Sequence, residues 1–267
     1  MIEIPNHTFE SVIDPIKTEE TIYQQIKDLS LKYQYVALPV AYSINSLGVE
    51  RTQSLIDQIN SSYPEKKIFV CQHIYVNRIN FGNNLVFTPH TEFGDPYYFI
   101  PHYNPIYHTK VDKKPIGERR YEFSFIGDFN THSDRSRLSG LNSEKIIISP
   151  TGNWFFSHPE DKQKQLLSRY KEILENTKIS ICPRGTGPST LRFFESMSSG
   201  SVPLIFNNLK IPDSIKSLIL KTDIDTFLQN RNYRVENLQE ISDGIYDIYW
   251  EEFSNDNLYK SILKVIQ

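Results

Sequence analysis

Residues 178–206, KISICPRGTGPSTLRFFESMSSGSVPLIF, decide the fold of this chain. The apolar run 179–182 is typical of a buried parallel strand. The prolines and glycines that follow force a turn, and Pro188 suits the first turn of a helix. Gly200 ends that helix, and 202–206 is the next buried strand. The stretch therefore predicts a right-handed β–α–β unit in which a glycine loop leads into the helix.

The start of this helix is suited to an anionic ligand, because its free N–H groups carry partial positive charge. Gly185 and Gly187 allow close approach of the backbone, and Arg184 and Arg192 add charged hydrogen bonds. Glu195, one turn into the helix, offers two acceptor oxygens to a pair of ribose hydroxyls. The loop has neither the Walker A nor the GxGxxG pattern. The alternative is that Arg192 and Glu195 form a surface pair at i,i+3.

The same stretch resembles the signature of the exostosin family of glycosyltransferases, C-P-x-G-x-x-x-x-S-x-R-x-x-E-x-x-x-x-G-x-x-P-V-I. Thr190 replaces the serine and Leu204 the valine. Upstream, residues 119–138 are similar to the family's R-x-x-x-F-x-F-x-G followed by R-x-x-L, and the similarity is clearest over 119–212. The positions that match the first signature are Cys182, Pro183, Gly185, Arg192, Glu195, Gly200, Pro203 and Ile205.

The resemblance implies an α/β, GT-B-like fold of two Rossmann-like halves that face each other across a crevice. It further implies inverting transfer of a sugar from a nucleoside diphosphate sugar, which we take to be a UDP-sugar, to a hydroxyl of a growing glycan such as capsule, lipopolysaccharide or a viral glycan. The partners are then the nucleotide-sugar donor and a glycan acceptor, and no cofactor is expected.

The donor is expected at the C-terminal ends of the strands in the second half. Arg135, with Arg137 as the fallback, matches a family arginine that would neutralise the diphosphate leaving group. Ser189 and Thr190 either bind phosphate or cap the helix. The expected donor-binding residues are Gly127, Arg135, Arg184, Gly185, Ser189, Thr190, Arg192 and Glu195.

Inverting transfer needs a base that takes the proton from the acceptor hydroxyl. The segment 89–105, PHTEFGDPYYFIPHYNP, loosely resembles the family's G-x-D-H-F-F-x-x-x-H-D and supplies Asp95 first, His102 second and Glu92 third. The alternative is that these are turn residues beside prolines. The departures from the pattern lie at Gly94, Pro96 and Tyr103.

A metal site is not predicted. Asp223 and Asp225 form an Asp-x-Asp pair, but it lies far from the glycine loop in sequence, before an apolar helical residue. Acidic residues are favoured at helix starts, so we interpret the pair as a helix-start feature.

The composition, with 39% hydrophobic and 23% charged residues among 267, is that of an ordinary globular protein. A net charge of −3 argues against nucleic acid as a partner. Cys71 and Cys182 lie in predicted buried strands, which favours free thiols. With no apolar run of about 18 residues and no signal peptide, we expect a cytoplasmic enzyme of a microbe or virus, with at most peripheral association with a membrane-bound acceptor.

Alternating strands and helices predict two α/β halves, an acceptor-side domain at 1–112 and a donor-binding domain at 113–267. The charged segment 111–118 is the predicted boundary. The first half is predicted to have helices at 19–32, capped by Thr18, and 47–59, and strands at 35–40, 67–73, 85–90 and 97–101. The second half is predicted to have strands at 122–126, 145–149, 178–182 and 202–206 and helices at 134–141, 160–176, 188–199, 235–249 and 256–266.

Two rival functions share these features. The first is a non-catalytic nucleotide- or sugar-binding module of the same fold, which the altered pattern at 89–105 favours. The second is another nucleotide-sugar enzyme on the same frame, such as an epimerase. The glycine loop, Arg192 and Glu195 would look alike in all three, so they do not discriminate between them.

Overall fold

The computed structural model describes residues 1–267 except 6, 8, 10–16, 93, 153–156, 207 and 231–234. The chain forms two compact units, the first made of residues 1–103 and 255–267 and the second of residues 104–254. The predicted boundary at 111–118 lies within the second unit, where Ile116–Glu118 form a 3-10 turn. The limits of the functional domains, 1–112 and 113–267, stay a prediction.

The first unit contains a parallel sheet with the strand order β1-β2-β3-β4-β5 in its described part. Apolar side chains of α1 and of the last helix, α10, pack together on one side of it, among them Ile22, Ile26 and Ile262. The strands are β1 (Ile2–Glu3), β2 (Gln34–Ala37), β3 (Lys67–Val70), β4 (Leu85–Thr88) and β5 (Tyr98–Phe99). The helices are α1 (Thr18–Ile26), α2 (Val40–Leu47), α3 (Val49–Ser62) and α10 (Lys260–Ile266).

Three features of the first unit differ from the prediction. The strand β1 and the helix α2 were not predicted, and Gly48, with a φ of 84°, separates α2 from α3. The proposed capping role of Thr18 is wrong, because Thr18 is the first residue of α1 and its Oγ1 accepts a hydrogen bond from the Tyr103 N–H at 2.9 Å.

The second unit contains another parallel sheet, with the described order β10-β9-β8-β6-β7. Its strands are β6 (Tyr121–Gly127), β7 (Ile146–Pro150), β8 (Thr177–Ile181), β9 (Val202–Ile205) and β10 (Leu220–Lys221). Its helices are α4 (Ser133–Arg137), α5 (Glu160–Glu175), α6 (Leu191–Ser199), α7 (Asp213–Lys216), α8 (Ile224–Gln229) and α9 (Leu238–Ile248). The prediction placed β6 to β9 correctly and missed β10 and α7, whereas α8 was expected only as the helix that begins at the Asp-x-Asp pair.

The β–α–β unit that decided the fold is confirmed. Strands β8 and β9 are parallel neighbours with Ile179 opposite Val202, and α6 joins them. Gly200 ends α6 in the left-handed conformation, with a φ of 69°. The expected helical position of Pro188 is wrong, because α6 begins at Leu191. With two parallel-stranded sheets, the predicted α/β class is confirmed.

Both cysteines, Cys71 and Cys182, are buried and free, as predicted. Burial raises the pKa of the Cys182 thiol to about 12, although Arg192 and Ser196 act in the opposite direction. In the part of the chain that the structure describes, every helix is too short or too polar to span a membrane.

Candidate functional site

The candidate site lies where β6 and β8 end. The two strands are parallel neighbours, so Gly127 at the end of β6 and the loop after Ile181 lie at the same edge of the sheet. Ligands of parallel α/β sheets bind at this edge. The loop 183–190 then leads into α6, which carries Arg192 and Glu195.

Arg135 ties these two strand ends together. Its Nε donates to the carbonyl oxygen of Arg184 at 2.9 Å, its Nη1 to that of Asp128 at 3.2 Å and its Nη2 to that of Pro183 at 3.3 Å. Burial, and then the charge of Arg192, lower the pKa of Arg135 to about 10, so it remains a cation at neutral pH. Arg135 therefore holds the loop in place.

The fallback residue, Arg137, is placed differently. It is partly exposed and pairs with Asp225 on α8. The other member of the Asp-x-Asp pair, Asp223, caps α8, because its Oδ1 accepts from the Thr226 N–H at 2.8 Å. The helix-start interpretation of this pair is confirmed. Among the described residues, no group of three or more His, Cys, Asp and Glu is placed to hold a metal ion.

Gly127 and Gly185 allow close packing of neighbouring side chains. A Cβ atom at Gly127 would lie 2.9 Å from Cζ of Phe125, and one at Gly185 would lie 3.1 Å from Nη2 of Arg135. Any side chain at these positions would push the Phe125 ring or the Arg135 guanidinium away from the loop. The two glycines therefore allow the arginine to reach the carbonyl oxygens of the loop.

Arg192 and Glu195 do not form a surface pair. Each is only 6% exposed, and no ion pair joins them within the described structure. The Arg192 guanidinium carbon lies 5.0 Å from the centroid of the Phe125 ring and 4.7 Å from that of Tyr170. Its Nη1 is buried without a hydrogen-bond partner among the described residues. A buried charged donor without a protein acceptor is costly, so this atom is available to an anionic ligand.

Glu195 accepts a hydrogen bond at Oε2 from the Tyr170 hydroxyl, which lies 2.5 Å away on α5. Burial raises the pKa of the Glu195 carboxyl, while the Tyr170 hydrogen bond and the Arg192 charge act in the opposite direction. Tyr170 was not predicted as a site residue. It lies outside both motifs, and only the packing of α5 on α6 brings it to the site.

Ser189 and Thr190 precede α6 without capping it through their side chains. Thr190 is the N-cap residue, yet its side chain makes no capping hydrogen bond. The Ser189 hydroxyl is buried and has no hydrogen-bond partner in the described part of the chain. Two buried donors, Ser189 Oγ and Arg192 Nη1, therefore flank the start of α6, where the helix dipole favours an anion.

The predicted base residues belong to the first unit. Asp95 closes a tight turn, because its Oδ2 accepts from the Glu92 N–H at 2.8 Å and its own N–H donates to the Glu92 carbonyl at 3.2 Å. Gly94, between them, has a φ of 94°. His102 is buried, with its ring edge-on to His90 at 5.1 Å. Burial, and then His90, hold the pKa of His102 well below its usual value, so its imidazole is neutral.

Comparison with known proteins shows which families and structures this chain is similar to. Residues 103–228 match the RXYLT1 C-terminal domain family. Human ribitol-5-phosphate xylosyltransferase 1 is 26% identical over 93 residues, which are 33% of this chain and 20% of the human protein, so the match spans about a fifth of that enzyme. The apo structure of the lipopolysaccharide outer core galactosyltransferase WaaB covers 99% of this chain and 98% of its own, at 12% identity and a TM-score of 0.44. The resemblance to exostosin-like glycosyltransferases is confirmed by the match of residues 103–228 to the RXYLT1 C-terminal domain family.

Proposed function

We propose that this protein is an inverting glycosyltransferase that moves a sugar from a nucleoside diphosphate sugar, a UDP-sugar, to a hydroxyl of a growing glycan. The family of residues 103–228 and the partial match to a human xylosyltransferase support glycosyl transfer. The observation that carries the proposal is the pair of buried donors at the start of α6, Ser189 Oγ and Arg192 Nη1, which lack acceptors among the described residues.

The diphosphate of the donor would satisfy these groups. A phosphate oxygen at the start of α6 receives the Arg192 and Ser189 hydrogen bonds and lies at the positive end of the helix dipole. Charge on the diphosphate grows as the bond to the sugar breaks, so donors that are already in place stabilise the departing group. This arrangement uses protein cations and the helix dipole and calls for no metal ion.

Glu195 would hold the ribose. A carboxylate offers about four acceptor positions, and the Tyr170 hydroxyl uses one of them at Oε2. Within the described structure, Oε1 has no hydrogen-bond donor. Two ribose hydroxyls would therefore find acceptors, and they would stabilise a charge that burial disfavours.

The segment 89–105 would supply the base. Asp95 is our first candidate, because it is partly exposed and only its Oδ2 is engaged in the turn. His102 comes second, because its imidazole is neutral but burial, which lowers its pKa, disfavours protonation. Glu92 comes third. The hydrogen bond of Asp95 in the turn also favours the second candidate function, a nucleotide-binding module without turnover.

Release of nucleoside diphosphate from a panel of UDP-sugars and GDP-sugars, with and without a metal chelator, tests the proposal. We expect release from one donor sugar, faster when an acceptor glycan is added. Asp95→Asn should bind UDP like the wild type and lower turnover about 100-fold, the usual contribution of a general base. Asp57→Asn, an exposed carboxylate on α3, is the matched control and should leave turnover unchanged.

UDP binding without release from any donor would favour the binding module over the transferase. Full turnover in Asp95→Asn would remove Asp95 as the base and leave the transferase assignment intact. The same assay therefore answers two separate questions. It shows whether the protein is a transferase or a binding module, and whether Asp95 is the base.

A further inference from the structure

We propose that Tyr170 is a positioning residue of the donor site, and that it holds Glu195 through its hydroxyl and Arg192 through its ring. This inference rests on the proposed function. Tyr170 lies on α5, whereas Glu195 and Arg192 lie on α6. One side chain thus contacts both residues of α6 to which we assign the nucleotide, with its hydroxyl 2.5 Å from Glu195 Oε2 and its ring centroid 4.7 Å from the Arg192 guanidinium carbon.

The ring contact leaves the donors of Arg192 available. A guanidinium that stacks on an aromatic face is stabilised through the face of its plane, while its N–H groups point outward within that plane. A carboxylate partner would instead occupy two of these N–H groups. The Arg192 guanidinium carbon lies over the rings of Tyr170 and Phe125, which stabilise the buried cation without accepting a hydrogen bond from it, and Nη1 is left without a partner in the described structure. The site is therefore ready for an anion before one binds.

The hydroxyl contact acts on the ionisation of Glu195. A hydrogen bond donated to the charged form of a carboxyl favours that form, so the Tyr170 hydroxyl counteracts burial, which raises the pKa of Glu195. The other titratable groups that act on Glu195 or feel its charge are Arg192 on the same helix, Cys182 after β8, and Tyr107. Of these groups, Tyr170 is the one that donates a hydrogen bond to the carboxylate.

A second tyrosine of the same unit provides a matched control. The Tyr107 hydroxyl donates to Glu175 Oε1 at 3.0 Å, and Lys171 Nζ lies 4.8 Å from the centroid of its ring. Tyr107 thus makes the same kinds of contact, one carboxylate and one cation, with residues that we do not assign to the nucleotide. A general loss of packing would appear equally at both tyrosines.

The expected pH dependence has a definite sign. Glu195 accepts two ribose hydroxyls only as a carboxylate, so UDP binding weakens as the pH falls through its raised pKa. Removing the Tyr170 hydroxyl removes an interaction that lowers this pKa. The midpoint of the binding loss should therefore move to higher pH in Tyr170→Phe, and the affinity should recover when the pH is raised further.

Calorimetric titration with UDP from acid to alkaline pH tests the proposal on the full chain. We expect Tyr170→Phe to weaken binding about tenfold at neutral pH, which is the loss of one hydrogen bond to a charged group, with the pH midpoint raised. Tyr170→Leu, which also lacks the ring, should weaken binding roughly 100-fold at every pH. Tyr107→Phe should bind as the wild type does.

Equal effects of Tyr170→Phe and Tyr107→Phe, or an unmoved pH midpoint, would overturn the positioning role. If the wild type binds UDP and Glu195→Gln weakens binding while Tyr170→Phe does not, this inference fails and the proposed function survives. No UDP binding by the wild type would overturn both.

Discussion

A buried arginine lies at each edge of the second sheet, and the two arginines differ in whether their guanidinium groups have hydrogen-bond acceptors. At the N-terminal edge, Arg119 is 3% exposed and donates to the carbonyl oxygens of Lys114, Thr177 and Ser199 at 3.0, 2.9 and 2.7 Å. At the C-terminal edge, Arg192 is 6% exposed, lies against two aromatic rings and keeps a buried Nη1 without an acceptor in the described structure.

We interpret Arg119 as a structural charge and Arg192 as a charge that serves a ligand. Arg119 joins the segments that lead into β6, β8 and β9. Its hydrogen bonds offset the desolvation free energy of burying the guanidinium. In the described part of the chain, no hydrogen bond from Arg192 offsets the desolvation free energy of its guanidinium. Unsatisfied buried polar groups in native proteins call for an explanation, and a bound anion supplies one.

Replacing Arg119 should produce the largest change in stability. Arg119→Met removes three hydrogen bonds to carbonyl oxygens, of which those to Thr177 and Ser199 are buried. We expect the free energy of unfolding to fall by about 3–5 kcal/mol. Urea unfolding measures the loss. Arg120→Met, at the exposed neighbouring arginine, is the control and should change stability little. A similar small loss in both variants would show that the carbonyl hydrogen bonds of Arg119 contribute nothing specific.

Replacing Arg135, which combines features of both arginines, should have a smaller effect, and we expect it in UDP binding. Its bonds to three carbonyl oxygens resemble those of Arg119, but it lies at the site edge beside Gly185. Arg135→Lys keeps the charge and can hold only part of the loop, so UDP binding should weaken about tenfold. Arg137→Lys, away from the loop, should bind UDP normally in the same titration. The reverse pattern would assign the family arginine to Arg137.

The sequence was sufficient to predict that the glycine loop and the residues at the start of α6 lie together, because they are close in the chain. The glycine loop, the helix and their spacing occupy one continuous segment, and buried strands such as β8 and β9 show clearly in their apolar composition. Tyr170 could not be found this way, because its contact with α6 depends on how two helices pack. The hydrogen bonds of Arg135 could not be predicted either. Their three acceptors are backbone carbonyl groups, which are present in every residue and so cannot be identified from the residue types.

Short and tightly connected elements were missed for a related reason. The strand β1 has two residues, too few for a periodic pattern, and is defined by its pairing with β2. The helix α2 begins three residues after β2 ends, and the predicted strand 35–40 extended through this connection to Val40, the first residue of α2. The Thr18 cap was wrong because the side chain makes a long-range hydrogen bond to Tyr103, which local sequence does not encode.

The central claim is that the unsatisfied donor of Arg192 serves a nucleotide diphosphate. Calorimetric titration of UDP into the wild type and into Arg192→Met, in the presence of a metal chelator, tests it most directly. We predict that the wild type binds UDP, and that Arg192→Met weakens binding roughly 100-fold, about 2–3 kcal/mol, while the free energy of unfolding stays the same or rises. Equal affinity of the two proteins for UDP, or no binding by the wild type, would contradict the account.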